Sequence, residues 1–181
     1  MKEEFRQIAH MFFGIIVALF IYFTDKQTSI LILGIVVFLS VIISDAISRK
    51  IHIPLFSELI QILERENTFP GKGTIFFFVS TLFCLLFFEK NVVFAAVVVL
   101  AVLDSVTTII GVRYGRKKIY NKKSLEGTAA GMLSGFIVLI FFISPVTAAI
   151  TAFFAGIAEL ISPVDDNLII PLTVCIILTL I

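Results

Sequence analysis

Apolar residues along this chain fall into seven long runs, separated by short polar or charged stretches. Each run approaches the roughly 20 residues that a helix needs to cross a bilayer, and none alternates like a half-buried strand. Backbone groups in lipid must find partners within the protein, which favours helices. The predicted spans cover residues 8–24, 29–48, 74–88, 92–112, 126–143, 146–161 and 167–181. The pattern predicts an all-α polytopic membrane helix bundle with about seven transmembrane helices, forming a single domain over residues 1–181.

Composition narrows the class further. The 181 residues are 59% hydrophobic and 15% charged, whereas soluble domains are about 45–50% apolar and about 25% charged. A large soluble catalytic domain is therefore excluded. The net charge of +1 gives no reason to expect a nucleic-acid partner. Both cysteines, Cys84 and Cys175, lie in apolar runs, which predicts buried reduced thiols rather than a disulfide or zinc site.

Basic residues are concentrated in alternate connections between the predicted spans. With seven spans, 12 of the 14 Lys and Arg residues lie on the side of the N-terminus. Because positive residues are retained on the cytoplasmic side, the N-terminus is predicted to be cytoplasmic and the C-terminus outside. In the long loop 49–73, residues 56–66 show helical spacing and predict a short interfacial helix. We expect an integral protein of the cell membrane whose active site faces the cytoplasm.

Carboxylates within or beside the spans are the first candidate chemistry, because ionisable residues in a span are costly and usually serve a function. Asp104 lies in the fourth span, and it shares a helix face with Thr107, Thr108 and Gly111. Glu159 ends the sixth span, and Asp165-Asp166-Asn167 leads into the seventh. Either Asp166 or Asn167 is expected to cap that seventh helix. Carboxylate oxygens also suit Mg²⁺, which often joins them to substrate phosphates.

A basic loop followed by a helix start is the main phosphate candidate. It reads Lys123-Ser124-x-Glu126-Gly127-Thr128, with Ser124 as the expected N-cap. Free amide groups and the positive end of the helix dipole favour an anion there. Gly127, Gly131 and Gly135 then form a stripe that allows close helix packing within a chain or between chains, so a homo-oligomer is compatible with the sequence.

Two weaker patterns lie near other span ends. The run Pro70-Gly71-Lys72-Gly73-Thr74 is a second phosphate candidate, although a plain Pro-Gly turn opening a helix explains it equally well. Arg6, His10 and Gly14 share one face of the first helix, with Arg6 as a phosphate partner. Asp45 is expected to pair with Arg49 four residues later. Acids and bases thus gather on one membrane face, which favours phosphoryl or nucleotidyl transfer to a lipid.

Three of these motifs together resemble the polyprenol kinase family, which includes dolichol kinase, phytol kinase and CTP-dependent diacylglycerol kinases. They are Asp104-x-x-Thr107-x-x-x-Gly111-x-x-x-Gly115, Lys122-Lys-Ser-Leu-Glu-Gly-Thr128-x-x-Gly131, and Glu159 followed by Asp165-Asp-Asn-Leu-x-Ile-Pro171. The spacing of Arg6, His10 and Gly14 is similar to the opening motif of that family. The family often has Arg-Lys where this chain has Arg6-Gln7. The resemblance covers nearly the whole chain.

The resemblance implies CTP as phosphoryl donor, Mg²⁺ or another divalent cation, and a membrane lipid alcohol as acceptor. Together with the patterns above, it predicts Asp104, Glu126 and Lys123 as catalytic residues. The predicted metal ligands are Asp104, Glu159, Asp165 and Asp166. The predicted nucleotide and phosphate contacts are Arg6, His10, Lys72, Gly111, Arg116, Lys122, Ser124, Gly127, Thr128 and Asn167. No general base is evident, and Asp104 and Glu66 are the candidates for that role.

Two alternatives stay open. A CTP-dependent phospholipid cytidylyltransferase would use a similar membrane fold and nucleotide, but it would release pyrophosphate and form a CDP-lipid. A small transporter or scaffold would use the acids as an ion path. That second reading predicts acids distributed through the bilayer, whereas the sequence gathers them at one face.

Overall fold

The computed structural model describes residues 2–63, 69–120 and 123–181, and this part of the chain is almost entirely helical. It contains eight helices and one short strand pair. The helices are α1 (Lys2–Phe23), α2 (Lys26–Ser48), α3 (Phe56–Leu63), α4 (Lys72–Phe87), α5 (Lys90–Tyr114), α6 (Leu125–Leu139), α7 (Pro145–Ile161) and α8 (Asp166–Leu180). The strands, β1 (Lys118–Tyr120) and β2 (Lys123–Ser124), pair antiparallel between α5 and α6.

Each predicted span coincides with one of the seven longer helices, and the predicted interfacial helix is α3. Three of these helices are long and apolar enough to cross a membrane: Glu3–Phe23, Lys26–Ser48 and Lys90–Tyr114. The other four, α4, α6, α7 and α8, are apolar but have only 15 to 17 residues. At about 1.5 Å rise per residue, such helices cover most but not all of the roughly 30 Å hydrocarbon layer.

Capping residues set where the shorter helices begin. Ser124 accepts a hydrogen bond from the amide of Gly127, as the sequence predicts. Ser144 caps α7 through the amide of Thr147 in the same way. The cap of α8 is Asp165, which accepts from the Asn167 amide; the prediction of Asp166 or Asn167 as cap was wrong by one or two residues. Each cap satisfies an amide that has no partner within its helix.

Helix α5 is the centre of the bundle. It packs against α6, α1 and α8, and α7 completes the layer behind α6 and α8. Most residues of its middle, from Val93 to Leu103, are buried, whereas α2 is largely exposed and packs mainly on α4. An apolar helix exposed in this way suits contact with lipid chains rather than water.

A turn at Pro70-Gly71 joins α2 to α4. Gly71 adopts a left-handed conformation (φ 76°) at the start of α4, next to Ser44 of α2. Ser44 donates its hydroxyl hydrogen bond to the Pro70 carbonyl, so the Pro-Gly turn joins the two helices. The predicted pair also forms, with Arg49 Nε 2.8 Å from Asp45 Oδ2. Cys84 and Cys175 are buried and unlinked.

Candidate functional site

The first part of the site lies where α1 crosses α5. Gly14 permits the close approach, because a Cβ there would lie 2.7 Å from the Ala101 Cβ. One turn nearer the start of α1, His10 Nε2 lies 3.9 Å from Asp104 Oδ2. The hydroxyl of Ser105 donates to the Gln7 carbonyl at 3.0 Å, which fixes the same crossing. The two helices run antiparallel, and they bring His10 of the first predicted motif to Asp104 of the second.

Lys123 forms the second part of the site. Its Nζ lies 3.0 Å from Glu159 Oε1 and 2.6 Å from Asp166 Oδ1, and it also donates to the Glu159 carbonyl. Burial alone would lower the pKa of this ammonium, but the carboxylates of Asp166 and Glu159 outweigh that effect and raise the pKa above its ordinary value. Thr128 donates to Glu159 Oε2 at 3.3 Å. Strand β2 thereby places a fully charged lysine between α7 and α8.

The start of α8 joins these two parts. Asp165 Oδ1 accepts from the Asn167 side-chain amide at 3.1 Å, and Lys72 Nζ of α4 lies 3.9 Å from Asp165 Oδ2. His10 interacts with both Asn167 and Asp165. Asp104 is close enough to interact electrostatically with four charged groups of this region, namely Lys123, Glu159, Asp165 and Asp166. We call these five residues the acid–lysine cluster.

Glycines bring α6 against α5 beside this cluster. A Cβ on Gly127 would lie 2.6 Å from the Thr107 carbonyl oxygen, and one on Gly131 would lie 1.9 Å from Thr107 Oγ1. Gly111 faces Ser124 and Gly127 from the other helix. Because no side chain fits in this contact, the glycine stripe serves helix packing within the chain. The same packing places Thr128 next to Glu159.

Three predicted site residues lie apart from the acid–lysine cluster. Glu126 is partly exposed, and its Oε2 accepts from the backbone amides of Arg116 (3.2 Å) and Lys117 (3.4 Å). The side chain of Arg116 is exposed. Arg6 pairs with Glu3 on the same turn of α1 and lies within electrostatic range of His10. Lys122 and the alternative base Glu66 lie outside the described residues.

The side chains that could act as metal ligands allow a test of the predicted metal site. Within residues 2–63, 69–120 and 123–181, no group of three or more His, Cys, Asp or Glu side chains is arranged to hold a metal ion. Glu159 and Asp166 both pair with the single cation Lys123, whereas Asp104 faces His10 and Asp165 lies 3.9 Å from Lys72. Mg²⁺ is usually held by one or two carboxylates together with substrate phosphates. Asp104 and Asp165 fit that arrangement, and a cage made of protein ligands alone does not.

Several polar atoms around this region are buried without a hydrogen-bond partner among the described residues. They include Gln7 Oε1, His10 Nε2, Thr107 Oγ1 and Asn167 Oδ1. Buried polar atoms are normally paired, so such a group marks a place where a bound molecule or water completes the bonding. Gln7 was not among the predicted site residues. The sequence feature that could have identified Gln7 is its position three residues before His10, which places both on the same face of α1.

The described residues therefore define an almost entirely helical protein with three helices that could span a membrane and a largely buried polar site at one end of its bundle. The chain is 33% identical to the uncharacterized protein MJ1137 of Methanocaldococcus jannaschii, over 98% of this chain and 93% of that protein. It belongs to the same family as MJ1137. It is also 26% identical to the uncharacterized protein RP860 of Rickettsia prowazekii, over 96% of this chain and 92% of that protein. No family model matches the chain. No solved structure matches it either.

Proposed function

We propose that this protein is a CTP-dependent kinase of a membrane lipid alcohol, such as a polyprenol, a dolichol-type alcohol or diacylglycerol. One observation carries the proposal: Lys123, Glu159 and Asp166 form a largely buried ion-paired group near Asp104, beside the starts of α6 and α8. A cation, helix N-termini and a carboxylate able to hold Mg²⁺ are the components with which proteins bind a nucleotide phosphate. The choice of CTP rests on the resemblance to polyprenol kinases.

The proposed reaction joins the acceptor hydroxyl oxygen to the γ-phosphorus of CTP and breaks the bond between that phosphorus and the β-phosphate oxygen, releasing CDP, while the hydroxyl proton leaves to solvent. Lys123 supplies positive charge beside the phosphates, Glu159 and Asp166 hold its ammonium, and Thr128 in turn fixes Glu159. Asp104 and Asp165 would hold Mg²⁺, which neutralises charge on the transferring phosphoryl group. Lys72 stands beside Asp165 as a second cation. Because phosphoryl transfer depends mainly on positioning and charge neutralisation, this set of groups is adequate.

The proposal includes seven membrane spans, a cytoplasmic N-terminus and a cytoplasmic active site. The buried polar groups support a cytoplasmic active site. They lie in the C-terminal half of α5, at the end of α7 and at the start of α8, on the side where most basic residues of the sequence also lie. The opposite end holds Lys26 and Lys90. The four short helices would cross with flanking residues extending into the headgroup region.

The deciding experiment is phosphate transfer from γ-labelled CTP, with ATP as the control nucleotide, to a panel of polyprenol, phytol-like and diacylglycerol acceptors in detergent with Mg²⁺. Label in a lipid with CTP supports the kinase and identifies the acceptor class. Pyrophosphate release with phosphatidic acid, without labelled lipid, would assign the chain to the cytidylyltransferases instead. The Lys123→Ala variant should raise the KM for CTP, whereas Lys118→Ala, an exposed lysine of the same hairpin, should not.

A further inference from the structure

The seam between α1 and α4 differs from the other helix contacts around the candidate site. Helix α1 packs on α5, and α4 packs on α2 and α8, but α1 and α4 make few direct backbone contacts. Aromatic rings fill the seam instead. Phe13 of α1 lies 6.0 Å from Phe77 and 5.8 Å from Phe78, measured between ring centroids. Phe13 is 42% exposed, so this aromatic seam begins at the outer surface of the bundle.

The inner end of the seam is His10. Its ring lies edge-on to Phe77, with 6.0 Å between ring centroids. The Nε2 atom of His10 and the Oδ1 atom of Asn167 are buried, and neither has a partner of full hydrogen-bond geometry in the described part of the chain, although the two side chains face each other. Beyond them lie Asp104 and the rest of the acid–lysine cluster. Ring contacts thus run from the exposed Phe13 through the buried Phe77 to His10, and they connect the outer surface of the bundle to the polar atoms beside the proposed phosphate site.

We infer that this seam is the acceptor subsite: the lipid chain lies along Phe13, Phe77 and Phe78, and the terminal hydroxyl binds at His10 Nε2. The inference rests on the proposed function and specifies where its acceptor binds. A lipid alcohol has the matching shape, because it has one polar end on a long apolar chain. The hydroxyl can donate or accept, so it satisfies an atom whose burial without a partner would cost free energy. In this arrangement His10 contacts the acceptor rather than the nucleotide, which differs from the phosphate role predicted from sequence.

The first experiment separates acceptor binding from nucleotide binding. We would measure KM for a long-chain prenyl alcohol and for CTP in the wild type, in His10→Ala, and in His10→Gln. Loss of one hydrogen bond should raise the KM for the alcohol about fivefold to tenfold and leave the KM for CTP within about twofold. His10→Gln should recover part of the loss, because its amide can still bond to a hydroxyl. His52→Ala is the matched control, since His52 is exposed and lies in the loop before α3.

The second experiment tests the aromatic seam and does not require turnover. A diazirine-bearing long-chain alcohol should label peptides from α1 and α4, and unlabelled alcohol should compete. Phe13→Trp should narrow the seam and weaken this labelling. Phe12→Trp is the control, because Phe12 adjoins Phe13 in the sequence and its side chain is 66% exposed.

The outcomes distinguish the two proposals. If wild type transfers phosphate but His10→Ala raises only the KM for CTP, the acceptor subsite is wrong and His10 contacts phosphate. If wild type transfers phosphate to no alcohol, the kinase proposal fails; competed labelling of α1 and α4 would still place an alcohol in the seam. Labelling confined to other helices would overturn the inference in either case.

Discussion

Replacing Lys123 by methionine removes the cation that lies between Glu159 and Asp166 while keeping a long apolar stem. Glu159 is 2% exposed, so its carboxylate would remain buried without a counter-charge. Removing one partner of a buried ion pair costs about 3–5 kcal/mol of unfolding free energy. Lys123 and Asp166 are 18% and 25% exposed, which places this case at the lower end, about 3 kcal/mol. In a chain of this size, that corresponds to a fall in Tm of about 6–12 °C.

The two buried thiols provide the assay. The chain has no tryptophan, but Cys84 and Cys175 are buried in the core and become reactive only when the bundle opens. A fluorogenic maleimide added to detergent-purified protein during a thermal ramp therefore reports unfolding. Lys118→Met provides the matched control, because Lys118 is exposed in the same hairpin.

The double variant Lys123→Met/Glu159→Gln extends the test. Neutralising the stranded carboxylate should restore much of the lost stability, because the penalty comes from an unpaired buried charge. A Tm for Lys123→Met within about 1 °C of the wild type would refute the reasoning, since one degree corresponds to well under 1 kcal/mol here. If Glu159→Gln does not restore stability, the loss of unfolding free energy does not come from the unpaired Glu159 carboxylate.

Three further predictions use the same preparation. Gly127→Ala should lower the unfolding free energy by about 1–3 kcal/mol in the maleimide assay, because its new Cβ would lie 2.6 Å from the Thr107 carbonyl oxygen. The control is Gly34→Ala, which should be neutral or stabilising because no atom lies within 4 Å of the new Cβ. Ser124→Ala should cost about 1 kcal/mol through loss of the α6 cap, and an unchanged Tm would contradict that role. Asp104→Asn should abolish phosphate transfer from CTP while the protein elutes normally on gel filtration; retained turnover would remove Asp104 from the proposed mechanism.

Much of the secondary structure was predictable because its causes are local. Apolar runs gave the helices, Ser124 was recognisable as a cap, and the Asp45–Arg49 pair follows from helical spacing. The hairpin formed by β1 and β2 was not predicted. It lies in a lysine-rich loop whose three-residue and two-residue strands are too short to give a periodic signal.

The candidate site was predictable only in part, because tertiary packing decides which residues meet. Sequence spacing placed His10 and Asp104 in separate motifs, and their contact depends on the crossing of α1 and α5 at Gly14. Conversely, Glu126 belongs to the same motif as Lys123, but it lies one helical step away and turns toward the amides of Arg116 and Lys117. Adjacency along the chain therefore did not predict that these two side chains face different partners, and the catalytic role of Glu126 stays a prediction.

Lys90 has a consequence for how the bundle assembles. Its ammonium, at the start of α5, donates to the carbonyls of Tyr22 (3.0 Å) and Thr24 (2.9 Å) at the end of α1. These carbonyls belong to a helix terminus and have no partner within the helix. During synthesis, α1 emerges well before Lys90 does, so these carbonyls meet their final partner only when α5 has been made. Lys90 therefore ties the end of the first helix to the start of the central helix, at the end of the bundle where basic residues are scarce.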